Sequence, residues 1–390
     1  MASIAKRDGK WTVRHLDRTG AHRQKTFTKK KDADAFKAKV ENDKANGIDQ
    51  LPTSAVTVDR LSQEFLAARR QMVKDGSLSF GTLERETYAL EKLIAPLIGT
   101  IAVQVLAESD VDKAIRTLRA KDCAWRDRKL SAVTVRQAIV TLAAVLDYGR
   151  RRKIVRENVA REVLSWAEHR PGAKRRVRTF TIEQMRALVV VLETRRPWQM
   201  ERSVTLGRAA IYLAAFCGLR FGEVFGLTRA NVDLERGIVR VRTAMGRDGK
   251  LKGPKTSAGV RDVPMPQAVA SAVAEWIEAY HVPNKGDLVF TTKKGIRMLP
   301  TPFHRDIWHP LMEKIGLGPD DEGETMHFHA LRHFFASMMV KRFALPDVAQ
   351  LMGHASFDMT LSTYAHPLLE VEHRHVGVAE MAGDILAPSL

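Results

Sequence analysis

The sequence predicts an α+β, mainly α protein in three parts: a small N-terminal β-sheet/helix module, a helical domain, and a mixed, mostly helical domain with a small β-sheet. Three observations predict this. At 390 residues, 45% hydrophobic and 28% charged, the chain is too long for one core and apolar enough to bury two or three. Alternation of period two is confined to short stretches near the N-terminus and around residues 238–263, and helical spacing runs through most of the rest. The stretch His169-Arg170-Pro171-Gly172-Ala173-Lys174-Arg175-Arg176-Val177-Arg178 breaks the helical pattern with Pro-Gly and gathers positive charge, as a linker does. The expected divisions are therefore 1–52, 55–168, a basic linker over 169–179, and 180–390.

In the first part, Lys10 to Arg14 and Arg23 to Phe27 alternate as strands around a polar turn ending in Gly20, and a helix from Asp32 carries Ala33, Phe36 and Val40. A sheet of two or three strands backed by one helix is too small to stand alone, but it can present basic side chains, Lys29, Lys30 and Lys31 among them, to a DNA groove. In the second part Val58, Leu61 and Phe65 keep helical spacing, and Ser109 with Asp112 suggests a capping box. Ser131 starts a helix with the apolar stripe Val135, Ile139, Leu142 and Leu146, and Arg150-Arg151-Arg152-Lys153 follows it. In the third part Thr181 opens one helix and a second is expected over Gly207 to Leu227. Ile238 to Arg242 and Val260 to Val263 alternate as strands, with a Gly-rich turn around Gly246 and Gly249, before helices resume.

The formal charge of +18 calls for a polyanionic partner, because a Lys or Arg placed on a phosphate releases a condensed counterion. A membrane would need a long uncharged apolar run, yet the best one, Ala209 to Leu219, is closed off by Arg208 and Arg220. No secretory signal is seen in MASIAKRDGK, so the cytoplasm, next to the nucleoid, is the expected location. Two cysteines, Cys123 and Cys217, stand far apart and support neither a disulfide framework nor a thiolate zinc site; Cys217 reads as core.

Four short segments carry the chemistry, and singly each is weak. In Cys217-Gly218-Leu219-Arg220-Phe221-Gly222-Glu223 an arginine and a glutamate sit at i and i+3, a spacing that more often marks a surface ion pair. Gly253-Pro254-Lys255-Thr256 looks like the end of a phosphate-binding loop, but Pro254 stands where that loop needs a backbone donor. His329 and His333 of His327-Phe328-His329-Ala330-Leu331-Arg332-His333 are spaced for zinc, but Arg332 lies between them on nearly the same face and disfavours a cation. The fourth is Leu351-Met352-Gly353-His354, with Tyr364-Ala365-His366 after it, and a tyrosine there is usually a packing residue.

In this order, however, Arg220, Lys255, His329-x-x-Arg332, His354 and Tyr364 resemble the signature of the tyrosine recombinases, or phage integrases, including the G-L-R-x-G-E, H-x-L-R-H, G-H and Y-x-H contexts. The resemblance is firm from about 180 to 366, although Ala330 stands where members often carry Asp. It implies that 1–52 is an arm-type DNA-binding module, 55–168 a core-binding domain and 180–390 the catalytic domain, and that the enzyme joins DNA strands through a 3′-phosphotyrosine at Tyr364. It also implies Lys255 as the acid that protonates the departing 5′ oxygen.

The residue types suit that chemistry. Attack on a phosphodiester concentrates charge on its non-bridging oxygens, and the planar, permanently charged guanidinium groups of Arg220 and Arg332 answer it, with a neutral hydrogen bond from His354. A phenol with a pKa of about 10 needs a proton acceptor at neutral pH, and His329 is the candidate. Glu223 is expected to orient Arg220, and His333 to brace Arg332 or the neighbourhood of the nucleophile.

The expected partners are double-stranded DNA attachment sites, other copies of the chain in a tetramer on DNA, and an accessory DNA-bending or excision factor. No metal, cofactor or membrane is called for. Lys29 to Lys31, Arg150 to Arg152, and Lys174, Arg175 and Arg176 are the expected DNA contacts. The apolar tail Leu368, Leu369, Val371, Val376 and Met381 is expected to dock either on a neighbouring subunit or on its own domain. The rival readings are a type IB topoisomerase and a DNA-binding relative that has lost the reaction.

Overall fold

The computed structural model describes residues 2–7, 9–16, 22–45, 56–120, 129–166, 178–194, 201–254, 257–319 and 325–354. The chain divides into two compact units, Met1–Lys174 and Arg175–Leu390.

The first unit opens with β1 (Ser3–Arg7), β2 (Lys10–Leu16) and β3 (His22–Phe27), an antiparallel sheet in the order β1-β2-β3, followed by α1 (Lys30–Ala45). Strand β1, to which the sequence reading assigned no residues, makes the sheet three-stranded, the larger of the two sizes expected. The pairing Ile4↔Val13↔Lys25 puts Ile4, Trp11 and Val13 on the side of Ala33, Phe36 and Val40 from α1. The opposite face, by the same alternation, carries exposed Lys10, Arg14, Gln24 and Thr26, and a Thr12–Thr26 hydroxyl pair at 3.2 Å bridges its two strands.

The helical part holds α2 (Val58–Lys74), α3 (Phe80–Tyr88), which runs through a π-helical turn into α4 (Ala95–Ile98), then α5 (Glu108–Ala120), α6 (Ala132–Arg151) and α7 (Val159–Ser165). The predicted stripe is the core: Leu61, Phe65, Val135, Ile139, Leu142 and Leu146 are all buried, against Val111, Ile115 and Leu118. Ser131 caps α6 by accepting from the Thr134 amide at 3.1 Å. The capping box expected at Ser109 and Asp112 is corrected. Helix α5 starts at Glu108, and the Asp110 carboxylate reaches back to the Ala107 amide at 3.0 Å, a shift of two residues along the chain.

The second unit runs α8 (Ile182–Glu193), α9 (Glu201–Phe216), α10 (Phe221–Phe225), β4 (Val232–Asp233), β5 (Ile238–Val241), β6 (Ala244–Met245), β7 (Leu251–Lys252), β8 (Arg261–Pro264), α11 (Gln267–Tyr280), α12 (Pro300–Phe303), a π-helical turn, α13 (His309–Lys314), α14 (His329–Met339) and α15 (Leu345–Met352). Thr181 and Gln184 form a full capping box at the start of α8. Every side chain of α9 from Ala209 to Ala215 is buried, so the helix runs through a core that includes Phe225, Trp276, Phe290 and Trp308. The sheet β4-β5-β8 pairs Val239 with Val263 and Val241 with Arg261, so both Val263 and Arg261 point inward.

The single helix expected over Gly207 to Leu227 is in fact two, α9 and α10. Between them Gly218 has a φ of +66°, a conformation open to glycine, and any Cβ there would lie 2.5 Å from the Phe335 ring. Apolar periodicity continues across the break, but a side chain at 218 would collide with α14.

Candidate active site

That break places Arg220. It is the residue before α10, not a member of a helical face as its spacing to Glu223 suggested, and its backbone N–H donates to Glu223 Oε2 at 2.9 Å. Its guanidinium donates to Glu223 Oε1 at 2.7 Å and, more weakly, to the Gly353 carbonyl at 3.4 Å. Glu223 itself is buried and faces a second guanidinium, that of Arg261, whose two terminal nitrogens donate to its oxygens at 2.9 and 3.2 Å. A third, from Arg332, stands 3.8 Å away. Burial pushes the Glu223 carboxyl up, but the hydrogen bonds and charge of Arg261, with the charge of Arg220, outweigh it and hold the pKa at about 2.

Arg332, in the first turn of α14, is 1% exposed and donates to the Gly218 carbonyl at 2.5 Å and to the Met352 carbonyl. Of the two guanidinium groups expected to clamp a phosphate, Arg220 is the more open and Arg332 lies sealed behind it. His329 and His333 occupy successive turns of α14 with rings edge to face, 4.7 Å between centroids. His354 follows Gly353, which ends α15 in the left-handed conformation at φ +62°.

Desolvation first, and the charge of Arg332 with it, lower His329, His333 and His354 each to about 4. His329 is exposed on the surface of α14, and the charges of His333, Arg332 and Arg220 act in the same direction as its desolvation, so the direction has two independent causes. All three imidazoles are therefore neutral at pH 7. The expected result is that histidine ring resonances in the DNA-free protein titrate well below the ordinary 6.5, near 4. Because the folded pKa is the lower one, the unfolded chain binds protons first, so stability is complete above about 6.5 and falls as pH drops towards 4. Midpoints at or above 6.5 for these rings would contradict the packing described.

The described fold thus brings Arg220, Glu223, His329, Arg332, His333 and His354 together. Lys255 and Tyr364 lie outside the described residues, as do Lys174, Arg175, Arg176, the tail beyond His354, and Cys123; Pro254 and Ser257 flank the place of Lys255 after β7. Arg261 was missed by sequence reasoning. The signal was present: in Val260-Arg261-Asp262-Val263 the alternation that sends Val263 inward sends Arg261 with it, and an inward arginine requires a buried carboxylate. Among the described residues no group of His, Cys, Asp and Glu is arranged to hold a metal, and no helix is long and apolar enough to cross a membrane.

The frame is shared with solved integrases. An integrase of transposon Tn1549 in complex with transposon right end DNA matches with a TM-score of 0.65 at 21% identity, over 84% of this chain and 100% of that one. A lambda integrase dimer bound to a core site matches with a TM-score of 0.57 at 14% identity, over 77% and 94%. The likeness to these structures is one of fold. Residues 178–370 match the phage integrase family, and that part of the chain belongs to it. Among curated relatives, tyrosine recombinase XerC of Chlorobaculum parvum is 30% identical over 168 residues, 41% of this chain and 44% of the relative. A putative prophage phiRv2 integrase of Mycobacterium tuberculosis is 28% identical over 165 residues, 41% and 42% respectively. The chain therefore spans less than half the length of these relatives.

Proposed function

We propose that this chain is a site-specific DNA recombinase that cuts and rejoins double-stranded attachment sites for a phage or other mobile element, through a 3′-phosphotyrosine at Tyr364. The observation that carries the reading is the gathering of Arg220 and Arg332 about the buried carboxylate of Glu223, with the neutral imidazoles of His329, His333 and His354 within the field of Arg332. Fixed cations suit the non-bridging oxygens, where charge grows in the transition state. A neutral His329 can accept the phenolic proton as the Tyr364 oxygen bonds to phosphorus, and Lys255 gives a proton to the 5′ oxygen as its bond to phosphorus breaks. The phosphotyrosine keeps the bond energy, so another strand's 5′-hydroxyl can attack it without ATP.

DNA contacts beyond the site follow from exposure. In the N-terminal sheet, Lys25 and Lys30 lie over the Phe36 and Trp11 rings on the helix side. The opposite face, with Lys10, Arg14, Gln24 and the threonine pair, combines cations with hydrogen-bonding side chains, which suits a groove better than Lys29 to Lys31 alone. In the basic run after α6, Arg150 pairs with Asp147 at 3.7 Å and Arg152 stacks on Tyr148, while Arg151 opens on a cleft of about 650 Å³ shared with Arg69, Arg136 and Arg161. The linker cations Lys174, Arg175 and Arg176, a tetrameric assembly joined by the C-terminal tail, and an accessory DNA-bending or excision factor complete the proposal.

The expected outcome of replacing both Lys10 and Arg14 with alanine is weaker DNA binding, with a log-log salt slope flatter by about one unit for each phosphate no longer neutralised. An unchanged slope would remove the sheet face from the interface. The reaction itself is tested by incubating the protein with a nicked suicide duplex carrying its core site. A denaturation-resistant adduct mapped to Tyr364 is expected, and none would leave an inert DNA-binding protein. Efficient relaxation of a supercoiled plasmid lacking target sites would instead indicate a topoisomerase.

A further inference from the structure

We infer that Arg261 is a positioning residue that locks three parts of the site into one unit: the carboxylate behind Arg220, the exit of the segment carrying Lys255, and the end of the helix carrying His354. The inference rests on the strand-cleaving reading above. Three consecutive carbonyls at the end of α15 are held by three arginines: Leu351 by Arg261 Nε at 2.8 Å, Met352 by Arg332, and Gly353 by Arg220 at 3.4 Å. Arg220 and Arg332 belong to the set meant for a phosphate. Arg261 does not, because its side chain is 3% exposed and its contacts are all internal.

Those contacts are a fork on Glu223 at 2.9 and 3.2 Å, the Leu351 carbonyl, and the Gly259 carbonyl at 3.3 Å. Gly259 closes the short 3₁₀ turn Ser257–Gly259, which follows directly on Lys255 and Thr256. Gly353 packs against the same point: a Cβ there would lie 2.9 Å from Arg261 Nη1 and 3.0 Å from the Ala258 carbonyl. One guanidinium therefore touches the three segments that lead to Arg220, Lys255 and His354. Its planar, five-donor fork serves four acceptors at once, whereas an ammonium has three donors on a single atom and cannot reproduce the set. The register Val241↔Arg261 explains its address, since the strand alternation drives it into the core beneath α10 and α15.

The test uses the full chain, its nicked core-site duplex, and a second duplex in which the 5′-bridging oxygen at the scissile phosphate is sulfur. A thiolate leaves without a proton, so sulfur removes the need for the acid attributed to Lys255. Arg261→Lys, which keeps a cation beside Glu223 but loses the fork, is the main variant, and Arg261→Met the second. Both are expected to bind DNA within about threefold of wild type and to form adduct about 10²-fold more slowly on the oxygen duplex, the usual scale for losing one preorganised donor. Sulfur is expected to recover at least about tenfold of that loss, as it does for the Lys255→Ala control, because part of the defect is misplacement of the acid. Should Arg261→Met not fold, Arg261→Lys carries the test alone. A folded Arg261→Lys with wild-type adduct rate overturns the inference, and so does one slowed equally on both duplexes in step with weaker binding. If the wild type forms no adduct, the recombinase reading falls too; if it does and Lys255→Ala is rescued while Arg261→Lys is not, this inference alone falls.

Discussion

Tyr364→Phe is expected to bind its core site as tightly as the wild type and to leave no detectable covalent adduct. The substitution removes one oxygen and keeps the ring, so packing and DNA contacts persist while the bond to phosphorus cannot form. Neither the imidazoles of the site nor the described cysteine takes its place. The described imidazoles are neutral but belong to the phosphate's surroundings, and Cys217 is buried in the core with its thiol pushed up to about 12. The measurement is gel retardation alongside denaturing electrophoresis on the nicked duplex. An adduct surviving in Tyr364→Phe would move the nucleophile elsewhere and dismantle the assignment.

Glu223→Ala is expected to cost roughly 3–5 kcal/mol of stability, the scale for removing one partner of a buried ion pair. The carboxylate faces Arg261 and Arg332, both nearly inaccessible, and its removal leaves their charges facing each other across a buried cavity. Urea unfolding checks this, and an unchanged midpoint with an unchanged slope would mean that water or another carboxylate replaces Glu223. The pH dependence has a definite sign. The folded pKa, about 2, lies below the ordinary 4.5, so the contribution is complete above about 4.5 and is lost as pH falls towards 2. Acid unfolding of the wild type should therefore extend into that window, and Glu223→Ala should lack this component.

Local signals wrote much of this architecture into the chain. Ser131 and Thr181 mark their helix starts because a short hydroxyl side chain can reach an amide three residues on. The stripe from Val135 to Leu146 and the alternation in β5 and β8 reflect periods that any one-sided burial imposes. The catalytic order was legible through its resemblance to a family, residue by residue. What escaped was decided by partners remote in sequence. The break at Gly218 depends on where the Phe335 ring lies, and the role of Arg261 depends on Glu223 and on the end of α15. Arg220 and Glu223 read as one helical face because their spacing fits one, whereas the helix begins after Arg220 and the glutamate turns back to its amide.

The way α15 ends has a consequence for how this region can vary among variants of the chain. Its last carbonyls find their donors on other elements, each in a fixed direction, and one inserted or deleted residue would rotate the helix end by about 100°. Pro346, Asp347 and Gln350 face solvent and are free to change identity. The segment therefore tolerates substitution on its outer side while its length is held constant, like a key whose shaft may be recoloured but not recut.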